Sequence, residues 1–118
     1  MGSYVSWVIE LALKPGKLDD FKALMDEMVE STQAEPGTLG YEWFFSDDGS
    51  ACHIYERYAD SKAMLSHVGG FQEKFAARFL DMADVTRFVV YGSPSDEARK
   101  VLDGFGASYM AQLGGFAR

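Results

Sequence analysis

The spacing of apolar residues divides the chain into a series of strands and helices. Tyr4–Leu13 is rich in aromatic and β-branched residues, which predicts a strand. Apolar residues then recur at helical spacing from Leu18 to Gln33, with acidic residues on the opposite face. The pattern therefore predicts a strand followed by an amphipathic helix, which ends at Glu35-Pro36-Gly37.

Two further strands, Thr38–Phe45 and Ala51–Tyr58, are predicted to form a hairpin. Asp48-Gly49 favours a two-residue turn, because such turns need positive φ angles. In the register set by this turn, the facing pairs are Trp43 with Ile54, Tyr41 with Glu56 and Leu39 with Tyr58. These six residues share one face of the hairpin, and the alternating residues occupy the other: Gly40, Glu42, Phe44, His53, Tyr55 and Arg57.

The second half of the chain repeats the order of helix and strand. Asp60 or Ser61 is predicted to cap a helix that ends near Gly69-Gly70. A further helix carries a stripe that we assign mainly to the core, formed by Phe71, Phe75, Phe79 and Met82. Asp84–Tyr91 is the fourth strand. The order βαββαβ predicts an α+β fold of the ferredoxin-like type, an antiparallel sheet with helices on one face.

The last quarter of the chain is predicted to be an extension of this fold. Ser93 caps a short helix with Pro94 at its first position, and that helix runs to about Leu102. The tail Gly104–Arg118 is too apolar for a free tail, so we expect an irregular arm or short strand. Residues 1–93 therefore form the domain, and residues 94–118 pack as helix and arm on it or on a partner subunit.

Neither face of the predicted hairpin is purely polar. The second strand places Phe44 on one face and Tyr41 and Trp43 on the other. A sheet with one face in water alternates more cleanly between apolar and polar residues. We therefore expect two copies of the sheet to pack face to face in a homodimer.

Charge and cysteine content narrow the classes of partner. The chain has 118 residues and a formal net charge of −7, which argues against nucleic acid and anionic membrane surfaces as partners. No apolar stretch approaches the ~20 residues that span a bilayer, and the N-terminus lacks the features of a signal peptide. The single cysteine, Cys52, fits the reducing cytoplasm and is expected to be a small buried residue.

Several short motifs together resemble the antibiotic biosynthesis monooxygenase family. They are Glu35-Pro36-Gly37, Gly40-Tyr41-Glu42, Tyr55-Glu56-Arg57-Tyr58, Asp60, Ala63-Met64-Leu65 and His67. The resemblance covers about Tyr4–Gly92 and implies a dimeric α+β barrel of the kind that includes small quinol monooxygenases. In the haem-degrading branch a helix histidine ligates iron near the position of Phe75. Phenylalanine cannot ligate iron, so we do not expect haem.

The candidate catalytic residues each have a structural alternative. His67 lies where the resemblance places the family's helix histidine. It acts either as a base or as a hydrogen-bonded structural residue at a helix end. His53 belongs to a polar cluster in a cavity or at the dimer seam. Glu56 is a base with a raised pKa or an ion-pair partner, and Arg87 binds a substrate oxyanion or Glu56. The candidate substrate-binding residues are aromatic: Tyr41, Trp43, Tyr55, Tyr58 and Phe75.

The motifs of other enzyme classes are missing from the sequence. No nucleophile elbow, Cys-x-x-Cys pair, zinc motif or phosphate loop occurs, and we expect neither a metal nor a cofactor. The resemblance implies that a deprotonated phenol gives its electron directly to O₂. The leading interpretation is thus a cofactor-independent monooxygenase acting on a quinol-like or polycyclic aromatic phenol. A non-catalytic ligand-binding or stress-associated dimer, and a cofactor-free isomerase or decarboxylase, stay open as alternatives.

Overall fold

The computed structural model describes residues 3–118, so Met1 and Gly2 of the predicted domain lie outside the described residues. In chain order the elements are β1 (Val5–Leu13), α1 (Leu18–Gln33), β2 (Thr38–Phe45), β3 (Ala51–Tyr58), α2 (Ser61–Lys74), α3 (Ala76–Met82), β4 (Ala83–Gly92), α4 (Asp96–Asp103) and β5 (Ser108–Met110). The sheet order is β2-β3-β1-β4-β5. The strands β1 to β4 pair antiparallel, and β5 lies parallel to β4. The predicted ferredoxin-like α+β fold is confirmed.

The hairpin register is confirmed except at its open end. Trp43 pairs with Ile54 and Tyr41 pairs with Glu56, as predicted. The two-residue Asp48-Gly49 turn itself is wrong, because Gly49 has a positive φ but Asp48 does not, and the turn is closed by the amide of Gly49 donating to the carbonyl of Ser46. The predicted pairing of Leu39 with Tyr58 is wrong, because the register shifts between Thr38 and Gly40 and Thr38 takes that place. An extra residue in one strand of a ladder is a β-bulge, and a turn at the other end of the hairpin does not encode it.

Two predicted helix boundaries are also corrected. The helix α2 does not end at Gly69-Gly70 but continues to Lys74, and the break falls at Phe75. A glycine pair costs helix stability, but packing of the flanking residues on the sheet outweighs that cost. The N-cap of α4 is Ser95 rather than Ser93, since its hydroxyl accepts from the amide of Ala98 at 3.1 Å. The predicted N-cap Asp60 of α2 is confirmed.

The helices cover one face of the sheet, which we call the covered face, and leave the other, which we call the open face. Two clusters of buried side chains lie under the helices. One is centred on Trp7, Tyr58 and Met64, and the other on Phe21 and Phe79. The predicted core position of Phe79 is confirmed, and Cys52 is fully buried. The open face keeps large apolar side chains in contact with solvent: Tyr4, Phe44 and Tyr91.

The C-terminal extension packs in its first half and is exposed in its second. Ala98 and Leu102 of α4 are buried in the cluster around Trp7, and Tyr109 of β5 packs against it. Beyond β5, Leu113 is 99% exposed and Phe116 is 77% exposed. No helix within residues 3–118 combines the length and the apolar character needed to cross a membrane.

Candidate active site

A pocket lies between the covered face of the sheet and the helices. Its cavity volume is about 60 Å³, and it opens on one side to solvent. Its wall is formed by Trp7, Ile9, Met28, Tyr41, Ile54, Glu56, His67, Val68, Phe71, Phe79, Phe88, Leu102 and Phe105. Apolar and aromatic side chains dominate this wall, and only Tyr41, Glu56 and His67 carry titratable groups. Such a lining with few polar groups is typical of small-molecule sites.

The alternation of the strands brings the polar groups of the wall together. Ile54, Glu56 and Tyr58 project from β3 onto the covered face, since successive side chains of a strand point to opposite faces. Glu56 lies between Tyr41 on β2 and Trp7 on β1, its partners in the two adjacent ladders. The helix α2 crosses above and supplies His67, which is buried.

Glu56, His67 and Glu35 form an array of side chains with His67 in the middle. Nε2 of His67 lies 3.3 Å from Oε1 of Glu56, and both side chains are only 8% exposed. On the opposite edge of the ring, Nδ1 of His67 lies 2.8 Å from Oε1 of Glu35, which is 29% exposed. The hydroxyl of Tyr58 also donates to Oε1 of Glu56. The imidazole is therefore held between two carboxylates, one buried and one near the surface.

The surroundings of the array set its protonation. Burial alone lowers the pKa of His67, but hydrogen bonding and charge from Glu56 and then Glu35 outweigh burial and raise it above the ordinary 6.5. Burial, reinforced by the charge of Glu56, raises the pKa of Tyr41 and of Tyr58 far above the ordinary 10.0. Near neutral pH these two phenols are hydrogen-bond donors, and the two carboxylates stabilise the cationic form of His67.

Five of the nine predicted site residues lie in or beside this array. Tyr41, Glu56 and His67 line the pocket. Tyr58 lies behind them, fully buried, with its ring centroid 5.3 Å from that of His67. Phe75 lines a smaller hollow on the other side of His67, next to Glu35.

The other four predicted residues are not brought to the pocket. Trp43 is on the covered face but packs against Phe21 and Phe79, and its Nε1 is buried without a hydrogen-bond partner among residues 3–118. Tyr55 and His53 belong to the alternating positions of β3 and Arg87 pairs with Glu10 of β1, all on the open face. Their roles stay predictions.

One carboxylate of the array was missed by the sequence analysis. Glu35 follows α1 and was assigned to the end of that helix and to a family motif but not to the site, since it lies 32 residues before His67. The one local signal is an acidic residue at a helix C-terminus, where the helix dipole disfavours negative charge. The pocket walls Phe88, Leu102 and Phe105 were also missed, since tertiary packing alone brings them to the site.

The described part of the chain contains no cluster of three His, Cys, Asp or Glu side chains arranged to hold a metal ion. The chemistry that the array itself offers is acid–base chemistry. A carboxylate and an imidazolium in an apolar hollow can take up, hold and return a proton.

Comparisons with known proteins place this chain in a family. The family model described as "Antibiotic biosynthesis monooxygenase" matches residues 5–71. The Mycobacterium tuberculosis protein named "Putative monooxygenase Rv0793" is 32% identical over 69 residues, covering 58% of this chain and 68% of its own. The crystal structure of MupZ from Pseudomonas fluorescens has a TM-score of 0.90 at 25% identity and covers 100% of this chain and 91% of its own.

A further solved structure shares the fold alone. The crystal structure of SnoaB, a cofactor-independent oxygenase from Streptomyces nogalater, superposes with a TM-score of 0.67 at 12% identity. The match covers 80% of this chain and 96% of the other. The match of the family model over more than half of the sequence carries the assignment. This chain belongs to the antibiotic biosynthesis monooxygenase family.

Proposed function

We propose that this protein is a cofactor-independent monooxygenase that oxidises an electron-rich phenol or quinol with O₂. The observation that carries the proposal is the buried pair of Glu56 and His67 on the wall of an otherwise apolar pocket. Family membership supports the reaction class. Direct oxidation by O₂ needs a phenolate in a water-poor site, and a buried carboxylate base beside a cation supplies one.

Each polar group of the wall has a role in this proposal. Glu56 takes the phenolic proton. Its Oε1 is occupied by Tyr58 and His67, so Oε2 is the oxygen available to a substrate. The His67 cation stabilises the phenolate by charge, and the neutral hydroxyl of Tyr41 is a donor toward it. The aromatic wall, including Trp7 and Phe88, packs against the substrate ring.

The proposed reaction balances without any other reactant. The phenolate gives one electron to O₂, and the resulting phenoxyl radical, whose spin is shared with the ring, combines with superoxide at a ring carbon that bears hydrogen. Loss of that hydrogen as a proton and cleavage of the O–O bond leave a quinone carbonyl. The second oxygen atom leaves as water, with protons returned from Glu56 and the ring carbon.

We also propose that the functional form is a cytoplasmic homodimer. The exposed apolar side chains of the open face, Tyr4, Phe44 and Tyr91, support a second copy packed there. Such packing would leave the pocket on the covered face untouched. Sedimentation analysis of the wild type beside a Phe44→Glu variant tests this, with a shift from dimer to monomer expected, and a monomeric wild type contradicts it.

Oxygen uptake tests the proposed reaction. Protein dialysed against a chelator is mixed with 1-naphthol or 1,4-dihydroxynaphthalene in an oxygen-electrode cell, with heat-denatured protein as the control. We expect enzyme-dependent uptake of one O₂ per substrate molecule and the appearance of quinone absorbance. Uptake no faster than the control across a panel of phenols and quinols would reject the monooxygenase.

A second candidate is a cofactor-free isomerase or decarboxylase. It is favoured by the composition of the array. Glu56, His67 and Glu35 are all acid–base groups, and a reaction that consists only of proton transfers would employ all three. Such an enzyme turns over its substrate under argon at the same rate as in air. A protein that binds phenols tightly but leaves them unchanged in both atmospheres is instead a ligand-binding member of the family.

A further inference from the structure

The Glu35 side chain connects the buried pair to the surface of the protein. It contacts the edge of the His67 ring that faces away from Glu56, at 2.8 Å. Its Oε1 also accepts from the hydroxyl of Thr38 at 2.8 Å. At 29% exposure the carboxylate reaches solvent, whereas His67 and Glu56 do not to any comparable extent.

The close approach of two backbones places Glu35 at this position. A Cβ atom added to Gly37 would lie 2.5 Å from the Cβ of Ala63, so only glycine lets this segment touch α2. Ala63 and His67 are four residues apart and share one face of the helix. The contact at Ala63 thus brings the preceding residues, including Glu35, to His67 one turn further along.

Among the titratable groups around His67, Glu35 is the proton acceptor at Nδ1, on the side of the ring nearer to solvent. From β3, Glu56 and Tyr58 face the ring, and from β2 Tyr41 lies with its centroid 5.5 Å away. From α2 itself, Lys74 lines the hollow beside Glu35 but donates to Ser31. None of these other groups contacts Nδ1.

We propose that Glu35 is a positioning residue that fixes the His67 ring against Glu56 and exchanges the ring's proton with solvent. In exchange with solvent, the imidazolium releases the proton on Nδ1 to Glu35 and then to water, while Nε2 keeps its proton toward Glu56. The reverse sequence returns a proton to the pocket. This path keeps His67 supplied with its proton beside Glu56 in a water-poor site, and it rests on the proposed function of Glu56.

The experiment is an NMR titration of the imidazole resonances in protein labelled at histidine. The Glu35→Gln variant keeps the size of the side chain but not its charge, and Glu30→Gln, on an exposed position of α1, is the matched control. His53 is the internal reference on the open face. We expect Glu35→Gln to lower the midpoint of His67 and to leave His53 unchanged, whereas Glu30→Gln moves neither. A His67 midpoint equal to that of the wild type would overturn the positioning role.

Proton exchange is tested separately from positioning. In the Glu35→Gln variant we expect a lower kcat with an unchanged KM, and a rise in rate with the concentration of imidazole buffer at constant pH. A variant with wild-type kcat, or with a loss that buffer does not restore, would overturn the proton path. The NMR titration needs no substrate, so a failure of the proposed oxygenase reaction would leave its result standing.

Discussion

The two faces of the sheet each carry a histidine beside a glutamate, and the two pairs differ in burial. On the open face, Nε2 of His53 lies 3.6 Å from Glu10, with the side chains 51% and 30% exposed. On the covered face, His67 lies 3.3 Å from Glu56, and both side chains are 8% exposed. The chemical groups and the spacing are nearly the same on the two faces. The difference lies in how much water surrounds them.

Burial decides what each pair can do. Solvent screens an exposed pair, so such pairs contribute little to stability and little to chemistry. A pair in a water-poor hollow is screened much less, and each partner then controls the protonation of the other. The comparison therefore supports placing the proposed chemistry on the covered face.

The largest expected difference between the faces is in activity. Replacing Glu56 with Gln removes the proposed base, and we expect the rate of oxygen uptake to fall by two to four orders of magnitude, about the contribution of a general base. The matched change Glu10→Gln on the open face is expected to leave the rate within about twofold. Equal losses of oxygen-uptake rate in the two variants would contradict the placement of the chemistry on the covered face.

The two histidines are also expected to differ in their contribution to stability, with the larger contribution from His67. Changing His67 to Leu leaves Glu56 buried without its cation, and we expect a loss of about 3–5 kcal/mol in the free energy of unfolding. The same change at His53 is expected to cost less than about 1 kcal/mol. Urea titrations followed by circular dichroism measure both values. A His67 variant as stable as the wild type would show that the buried pair is not held as described.

A smaller effect is expected at the contact that positions Glu35. The change Gly37→Ala places a methyl group against Ala63, and overpacking of this kind costs about 1–3 kcal/mol. The double variant Gly37→Ala with Ala63→Gly removes the clash at the price of a glycine within α2. We expect thermal unfolding to show a partial recovery relative to Gly37→Ala. A double variant less stable than the sum of the single changes would contradict the contact.

The smallest expected effect is on the pH dependence of stability. The pKa of His67 is raised in the folded protein, so the folded state binds more protons than the unfolded state above the ordinary value of 6.5. The stabilisation is complete below pH 6.5 and is lost as the pH rises through the folded pKa. We expect this fall in the free energy of unfolding to be absent in His67→Gln. An identical slope in both proteins would assign it to other groups.

The sequence encodes the fold through local signals and the site only in part. Periodicity was enough for the order of elements, and the position of Gly49 was enough for the register of Tyr41 with Glu56, although the turn type was wrong. Alternation along β3 also separated His53 from Glu56. It could not show which face the helices cover, since both faces carry aromatic residues.

Long-range packing accounts for what the sequence did not reveal. The continuation of α2 past Gly69-Gly70 depends on contacts with the sheet rather than on helix propensity. The link between Glu35 and His67 depends on the approach of Gly37 to Ala63, which no local pattern records. Residues far apart in the chain meet at the pocket, as Phe105 and Trp7 do.

A crystal structure with a bound phenol tests the central claim most directly. 4-Nitrophenol is a suitable ligand because an electron-poor phenol resists oxidation by O₂ and so persists in the crystal. The account predicts its ring between the aromatic walls of the covered-face pocket, with the phenolic oxygen within hydrogen-bond distance of Glu56. A phenol bound on the open face beside His53, or a pocket that stays empty at saturating ligand, would contradict it.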